Sequence, residues 1–156
     1  MIDEKGSEDT GGKCLLIAGR VNKEYSFSIS ELLAMEMVEF RDMLHACGSG
    51  EPKGRIDRCR GVLLSDVLNK VDVTITEHND TKKMYLRMAS DDGYSTVFSW
   101  QEIFNTQIGE GVIVILERDG KKVYEQGCVD LMSAKDFLSG PRYVKRLATI
   151  EILMVE

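Results

Sequence analysis

The stretch from His45 to Gly61, HACGSGEPKGRIDRCRG, gathers the residues of this chain best suited to chemistry. Its 17 residues hold two cysteines, four glycines, four basic side chains and one of only two histidines. Glycine lets backbone N–H groups approach an anion closely, and Lys53, Arg55, Arg58 and Arg60 add positive charge and directed donors. That combination suits a cradle for a small anion or an anionic cofactor. It suits a plain polar connection between two elements equally well. Gly48, Gly50 and Gly54 are spaced GxGxxxG, one residue longer than the dinucleotide fingerprint, and Pro52 interrupts them. Cys47, where the chain enters the glycine-rich run, suits a single thiolate ligand to a soft metal carried by a cofactor that supplies the remaining ligands. A half-buried, inert thiol is the alternative.

Other chemistries have less behind them. His45, Cys47 and Cys59 offer three metal ligands, but H-x-C-x11-C has no fourth at a zinc-like spacing. Two histidines and no GxSxG leave serine hydrolysis without a motif. His45 stands two residues from Cys47 with nothing to orient its imidazole. Asp91 and Asp92 resemble paired acids but fall where a turn wants them. The four cysteines, Cys14, Cys47, Cys59 and Cys128, form no CxxC. Free thiols in a reducing compartment are expected, with a Cys47–Cys59 disulfide left open.

The elements that position these residues follow from pattern. A chain of 156 residues suits one domain with a real core. A net charge of −6 argues against nucleic acid as a partner. No apolar run approaches 18 residues, so no membrane helix is expected. Residues 1–12 read as a disordered polar tail rather than a leader, residues 13–156 as the folded domain, and the cytoplasm as its place. CLLIAGRVNKEYSFS predicts two strands around a turn at Asn22-Lys23. Ser28-x-x-Glu31 and Ser99-x-x-Glu102 are capping boxes that each open a short helix. MVEFRDMLHAC predicts a strand running into the glycine-rich stretch. Leu64, Val67, Leu68 and Val71 form one helical face. VDVTIT, KMYLRMA, YSTVFS, KKVYEQ, CVDLMSA and VKRLATIEILMV predict further strands. GVIVILER, nearly all apolar, predicts a central one. Asp92-Gly93 and Asp119-Gly120 supply tight turns. Eight to ten strands, three short helices and hairpin connections define an α+β fold with a mixed, largely antiparallel sheet.

Five motifs in order, HACGSG, CRGVLLSDVLNKV, MASDDGYSTVFSWQEI, VILERDGKKV and GPRYVKRLATIEIL, resemble the molybdopterin-binding domain of the sulfite oxidase family. The matching positions are Cys47; Gly61, Val62, Leu64, Asp66 and Leu68; Asp92, Gly93 and Tyr94; and Val144, Lys145, Leu147 and Ile150. The resemblance implies a molybdenum–molybdopterin cofactor with Cys47 as the metal's protein ligand. It implies two-electron oxygen-atom transfer, with Asp92 and Tyr94 on the substrate side. Gly48, Ser49, Lys53, Arg55, Arg58, Arg60, Arg142, Lys145 and Arg146 are the implied cofactor contacts. The chain departs from the family in lacking the N-terminal histidines and arginines that grip the pterin, and Gly48-Ser49-Gly50 follows the cysteine where Asn and Arg are usual. An anion-binding or redox-partner-docking module on the same fold is the alternative.

Overall fold

The structure is a computed structural model that describes residues 12–46 and 52–156. Most of the tail read over residues 1–12, and the positions Cys47, Gly48 and Ser49, lie outside the described residues. Among the described residues ten strands build one mixed sheet. These are β1 (Lys13–Gly19), β2 (Tyr25–Ser28), β3 (Val38–Ala46), β4 (Pro52–Leu63), β5 (Met84–Ser90), β6 (Ser95–Ser99), β7 (Val112–Arg118), β8 (Lys121–Lys122), β9 (Val129–Ser133) and β10 (Val144–Met154). Three short helices accompany them: α1 (Ile29–Leu33), α2 (Leu64–Leu68) and α3 (Trp100–Asn105). No helix among the described residues is long and apolar enough to cross a membrane.

The spatial order is β2-β1-β10-β9-β7-β4-β3, with β5 joining β10 and carrying β6, and β8 pairing β7. Strand β10 changes partners along its length. Val144 and Leu147 pair with β9, whereas the segment beyond pairs with β1 in parallel and β5 antiparallel. A bulge between Val144 and Leu147 marks the change. Bulges bend a strand and re-aim its side chains.

Strand β7 is buried from Val112 to Leu116 because both of its faces are covered. Val112, Val114 and Leu116 enter the larger apolar cluster, with Leu64, Val67 and Leu68 of α2 and Ile103 of α3. Ile113 and Ile115 enter a smaller cluster with Ile56, Cys59, Met132 and Tyr143. Both capping boxes form as read. Ser28 Oγ accepts from Glu31 N at 3.1 Å, and Glu31 Oε1 accepts from Ser28 N at 2.8 Å. The Ser99–Glu102 pair repeats this at 3.0 and 2.9 Å.

Three readings need correction. The basic half of the opening stretch is strand, not loop: β4 starts at Pro52 and pairs with both β3 and β7. Gly61 is required there, because an added Cβ would stand 1.9 Å from the Val114 carbonyl oxygen. VDVTIT forms no strand. A single bridge joins Val73 to Val21, and Thr74 N and Asn22 N close it on Arg20 O and Asp72 O. KKVYEQ keeps only Lys121–Lys122 as strand. Val123–Gln126 winds into a 3-10 turn that buries Tyr124 and ends at Gly127 with φ 78°.

Candidate functional site

The Asp-Gly-Tyr hairpin between β5 and β6 is held by its own acids. Asp92 Oδ1 accepts from Tyr94 N at 3.1 Å, and Asp92 N donates to Ser90 Oγ at 3.2 Å. The Tyr94 N–H, then the Ser90 hydroxyl, hold the Asp92 carboxyl below the usual carboxylate range. Tyr94 reaches across to donate to the Pro141 carbonyl, and the Arg146 guanidinium grips Asp91 Oδ2 at 2.7 and 2.9 Å. The hairpin and the Pro141–Arg146 segment, distant in sequence, are thus brought together.

Arg146 sits at the β10 bulge with φ 56°, a left-handed conformation that non-glycine residues adopt only under outside constraint. The constraint is visible. Its N–H donates to Asp130 Oδ1 at 3.0 Å, and its carbonyl accepts from Asp91 N at 3.2 Å. Asp130 Oδ2 in turn accepts from the Tyr143 hydroxyl at 2.8 Å, and that hydroxyl accepts from Arg118 Nη1 at 2.8 Å. The Arg118 guanidinium also lies 5.3 Å from the Tyr143 ring centroid. Burial pushes the Tyr143 phenol well above the usual tyrosine range, and the Asp130 charge adds to it.

The line continues through the β7–β8 turn. Asp119 Oδ1 accepts from the backbone N–H groups of Asp57 and Arg58 at 2.8 and 3.0 Å, pinning β4 where it meets the turn. Arg58 then stands between Glu39 at 3.6 Å and Glu117 at 3.8 Å. Glu117 also takes Arg60 at 3.6 Å, and Glu39 takes Arg41 at 2.6 Å. Arg55 pairs with Asp42 and Asp57, each at 3.1 Å. A polar rim therefore runs from the β3–β4 hairpin through Arg118, Tyr143 and Asp130 to the Asp-Gly-Tyr hairpin.

Arg142 is placed differently. Its Nε and Nη2 grip both oxygens of Asp136 at 2.9 and 2.8 Å. Its Nη1 reaches Glu102 at 3.1 and 3.2 Å and the Val97 carbonyl at 3.3 Å. The guanidinium carbon lies 4.1 Å from the Phe98 ring centroid. Its donors are committed inside the molecule. Lys145 is exposed at the start of β10, and Lys53 lies on β4.

The described thiols are not ligands in waiting. Cys59 is fully buried and free, and burial pushes its thiol up to about 11. Burial likewise raises Cys14 to about 11 and raises Cys128. Such thiols stay protonated at neutral pH, and the thiolate is the ligating form. No group of three or more His, Cys, Asp or Glu among the described residues can hold a metal ion. A resident cofactor phosphate needs cations with donors to spare. Arg55, Arg58, Arg60, Arg142 and Arg146 each already carry a carboxylate partner. Among the described cations named for a pterin phosphate, the arginines are thus engaged, and Lys145 stands exposed outside these pairs.

Arg118, Asp130 and Tyr143 are absent from the sequence reading of the site. Asp130 offered a signal, a lone acid inside the apolar run of β9. Tyr143 follows Arg142 directly within GPRYVKRLATIEIL. Arg118 offered none beyond ending an apolar strand.

No family model matches the chain, and no curated protein matches it. Solved structures do match in fold. One is the sulfane dehydrogenase SoxCD from Paracoccus pantotrophus, with a TM-score of 0.65 and 16% sequence identity. The likeness takes in 96% of this chain and 39% of that one, so this chain spans well under half the length of its neighbour. At that identity the relation is one of fold. The mixed α+β architecture, sulfite-oxidase-like in arrangement, stands as the sequence led one to expect.

Proposed function

We propose that this chain is a docking module on a sulfite-oxidase-like fold, presenting its polar rim to a redox partner protein. The interleaving of signs carries this reading: Arg41, Glu39, Arg58, Glu117 and Arg60 follow one another across three strands. A row of both signs does not concentrate a small anion. It does match a protein surface bearing the opposite pattern, where charge sets encounter rate and register. Tyr94, 45% exposed at the far end of the rim, adds an amphipathic contact. The likeness to a sulfane dehydrogenase supports a redox setting.

The test is to produce the chain in a host that makes molybdopterin, then measure molybdenum per chain and the fluorescence of released pterin. The docking reading expects neither, and a melting temperature unmoved by phosphate or sulfate. It also expects association with a redox carrier that weakens steeply as ionic strength rises. A midpoint raised by phosphate would turn the reading toward a small-anion module.

One observation favours a second reading. In sequence, Cys47 follows Ala46, the last residue of β3, and precedes the arginine-bearing β4, which starts at Pro52. Here the chain is a molybdopterin-dependent oxidoreductase of the oxygen-atom-transfer type. Cys47 supplies the metal's thiolate, Gly48, Ser49, Lys53, Arg55, Arg58, Arg60, Lys145 and Arg146 hold the cofactor, and Asp92 and Tyr94 line the substrate side. The cofactor supplies the redox chemistry, and the protein supplies orientation and charge. The exposed pairs of Arg55 and Arg146 open at little cost, as surface pairs do, whereas the Arg142 fork does not. Stoichiometric molybdenum that vanishes in Cys47→Ser would establish this reading over docking.

A further inference from the structure

A sheet edge exposes a row of unpaired N–H and C=O groups, and proteins blunt such edges. Four strands among the described residues pair on one side only: β2, β3, β6 and β8. β2 is four residues long and turns at once into α1. β8 is two lysines, so a second copy would meet like charge. β6 is capped by Arg142, whose Nη1 sits on the Val97 carbonyl. β3 runs nine residues, and no described element covers its outer side.

The side chains of β3 are complementary to themselves. Laid antiparallel about a two-fold axis at Phe40, the strand sets Glu39 opposite Arg41 of the second copy, twice. Phe40 meets Phe40. Opposite charges facing across an antiparallel pair are favourable, as are paired aromatics. The apolar residues beneath this edge point the same way. Val38, Phe40 and Met43 pack against the smaller apolar cluster of Ile56, Cys59, Ile113, Ile115, Met132 and Tyr143 but are themselves only partly buried. A second sheet continuing from β3 would extend that cover. Asp42, at φ 57°, leaves the extended conformation just beyond Arg41, and by the two-fold axis the Asp42 of each copy limits the shared ladder at both ends. Both hydrogen-bonding parities serve, because residues related by this axis share parity.

We infer that a second copy of this chain occupies the β3 edge, joining two sheets into one through a symmetric β3–β3 pair. This contact is isologous, with Glu39 and Arg41 each used once per copy. It shares Glu39 and Arg41 with the rim but needs neither a redox partner nor a cofactor, and its failure leaves both of those readings untouched.

Sedimentation velocity on the full chain tests it. The unmodified protein is expected at twice its 17.5 kDa mass in the tens-of-micromolar range. A monomer throughout that range overturns the inference. Arg41→Glu sets two carboxylates face to face at both contacts, and Glu39→Arg sets two guanidinium groups there. Each alone is expected to weaken the dimer about tenfold or more. Mixed in equal amounts, the two variants regain complementary pairs, so the mixture is expected to dimerise where each alone does not. Dimers that ignore both substitutions, or a mixture that stays monomeric, overturn the assignment. Arg41 is 64% exposed and pairs with Glu39 of its own strand, so Arg41→Glu is the variant that leaves the fold least disturbed. The double variant E39R/R41E, expected to dimerise again, separates a lost interface from a lost fold.

Discussion

Arg142 and Arg58 carry the same guanidinium and meet the same kinds of carboxylate, yet the protein uses them differently. Arg142 is 21% exposed, holds Asp136 at 2.8 Å with that carboxylate 12% exposed, and lies over Phe98. Arg58 is 40% exposed and reaches its two glutamates at 3.6 and 3.8 Å. The first ties the loop before β10 to the cap of α3, through Glu102, and to the edge of β6. The second is one member of a charged row facing water. Ion pairs of the same composition are structural where they are desolvated and geometrically matched, and available for recognition where they are not.

The sharpest way to break this contrast is to remove Arg142. Arg142→Ala strands Asp136 and Glu102 without their fork and should cost about 2–4 kcal/mol in urea unfolding. Arg142→Lys should recover only part of that, since a point charge cannot make the bidentate grip. Tyr143 tests the middle of the rim. Tyr143→Phe leaves Asp130 Oδ2 and Arg118 Nη1 without their shared hydroxyl and should cost about 1–2 kcal/mol.

The same residue gives a pH signature. The folded state holds the Tyr143 phenol above its unfolded value, so folding favours the protonated form. That contribution is complete below about pH 10, the unfolded tyrosine value, and is lost as pH rises further. Stability of the unmodified protein should therefore fall above that pH, and Tyr143→Phe should flatten the fall. Cys59 behaves likewise from a lower threshold. Its thiol moves from 9.0 to about 11, so its contribution is lost as pH climbs through that window, and Cys59→Ala removes the dependence there. In the native protein Cys59 should resist alkylation at pH 8, and mass spectrometry of the labelled chain checks this.

The smallest expected effect belongs to the exposed end of the comparison. Arg58→Ala should change stability by less than about 1 kcal/mol. It should nonetheless slow association with a redox partner, by an amount that shrinks as salt is added. A large loss of stability in Arg58→Ala, or none in Arg142→Ala, would dissolve the distinction between the two regions.

Much of the fold was legible because its signals are local. The Ser28–Glu31 and Ser99–Glu102 boxes close within three residues. β7 announced itself as central by being apolar on both faces. The 45–61 stretch misled because glycine, proline and arginine in close order read as loop, whereas β3 on one side and β7 on the other supply the ladders that make residues 52–63 a strand. VDVTIT misled in the opposite sense: its alternation is strand-like, but apart from the single bridge to Val21 no described strand lies beside it. The Asp-Gly-Tyr hairpin and the Pro141–Arg146 segment were both singled out, and the fold joins them. Tyr143 and Asp130, which do much of the joining, were passed over because a buried tyrosine beside an acid looks like ordinary core in one dimension.

By itself the sequence determined the element types, the caps and turns, the buried central strand and the α+β class, since each depends on residues a few positions apart. Only the tertiary structure decided what the arginines do. Arg142 meets Glu102 across 40 positions, and Arg146 meets Asp91 across 55. A guanidinium is free, or committed, according to the carboxylates that folding brings within reach and the water it leaves around them.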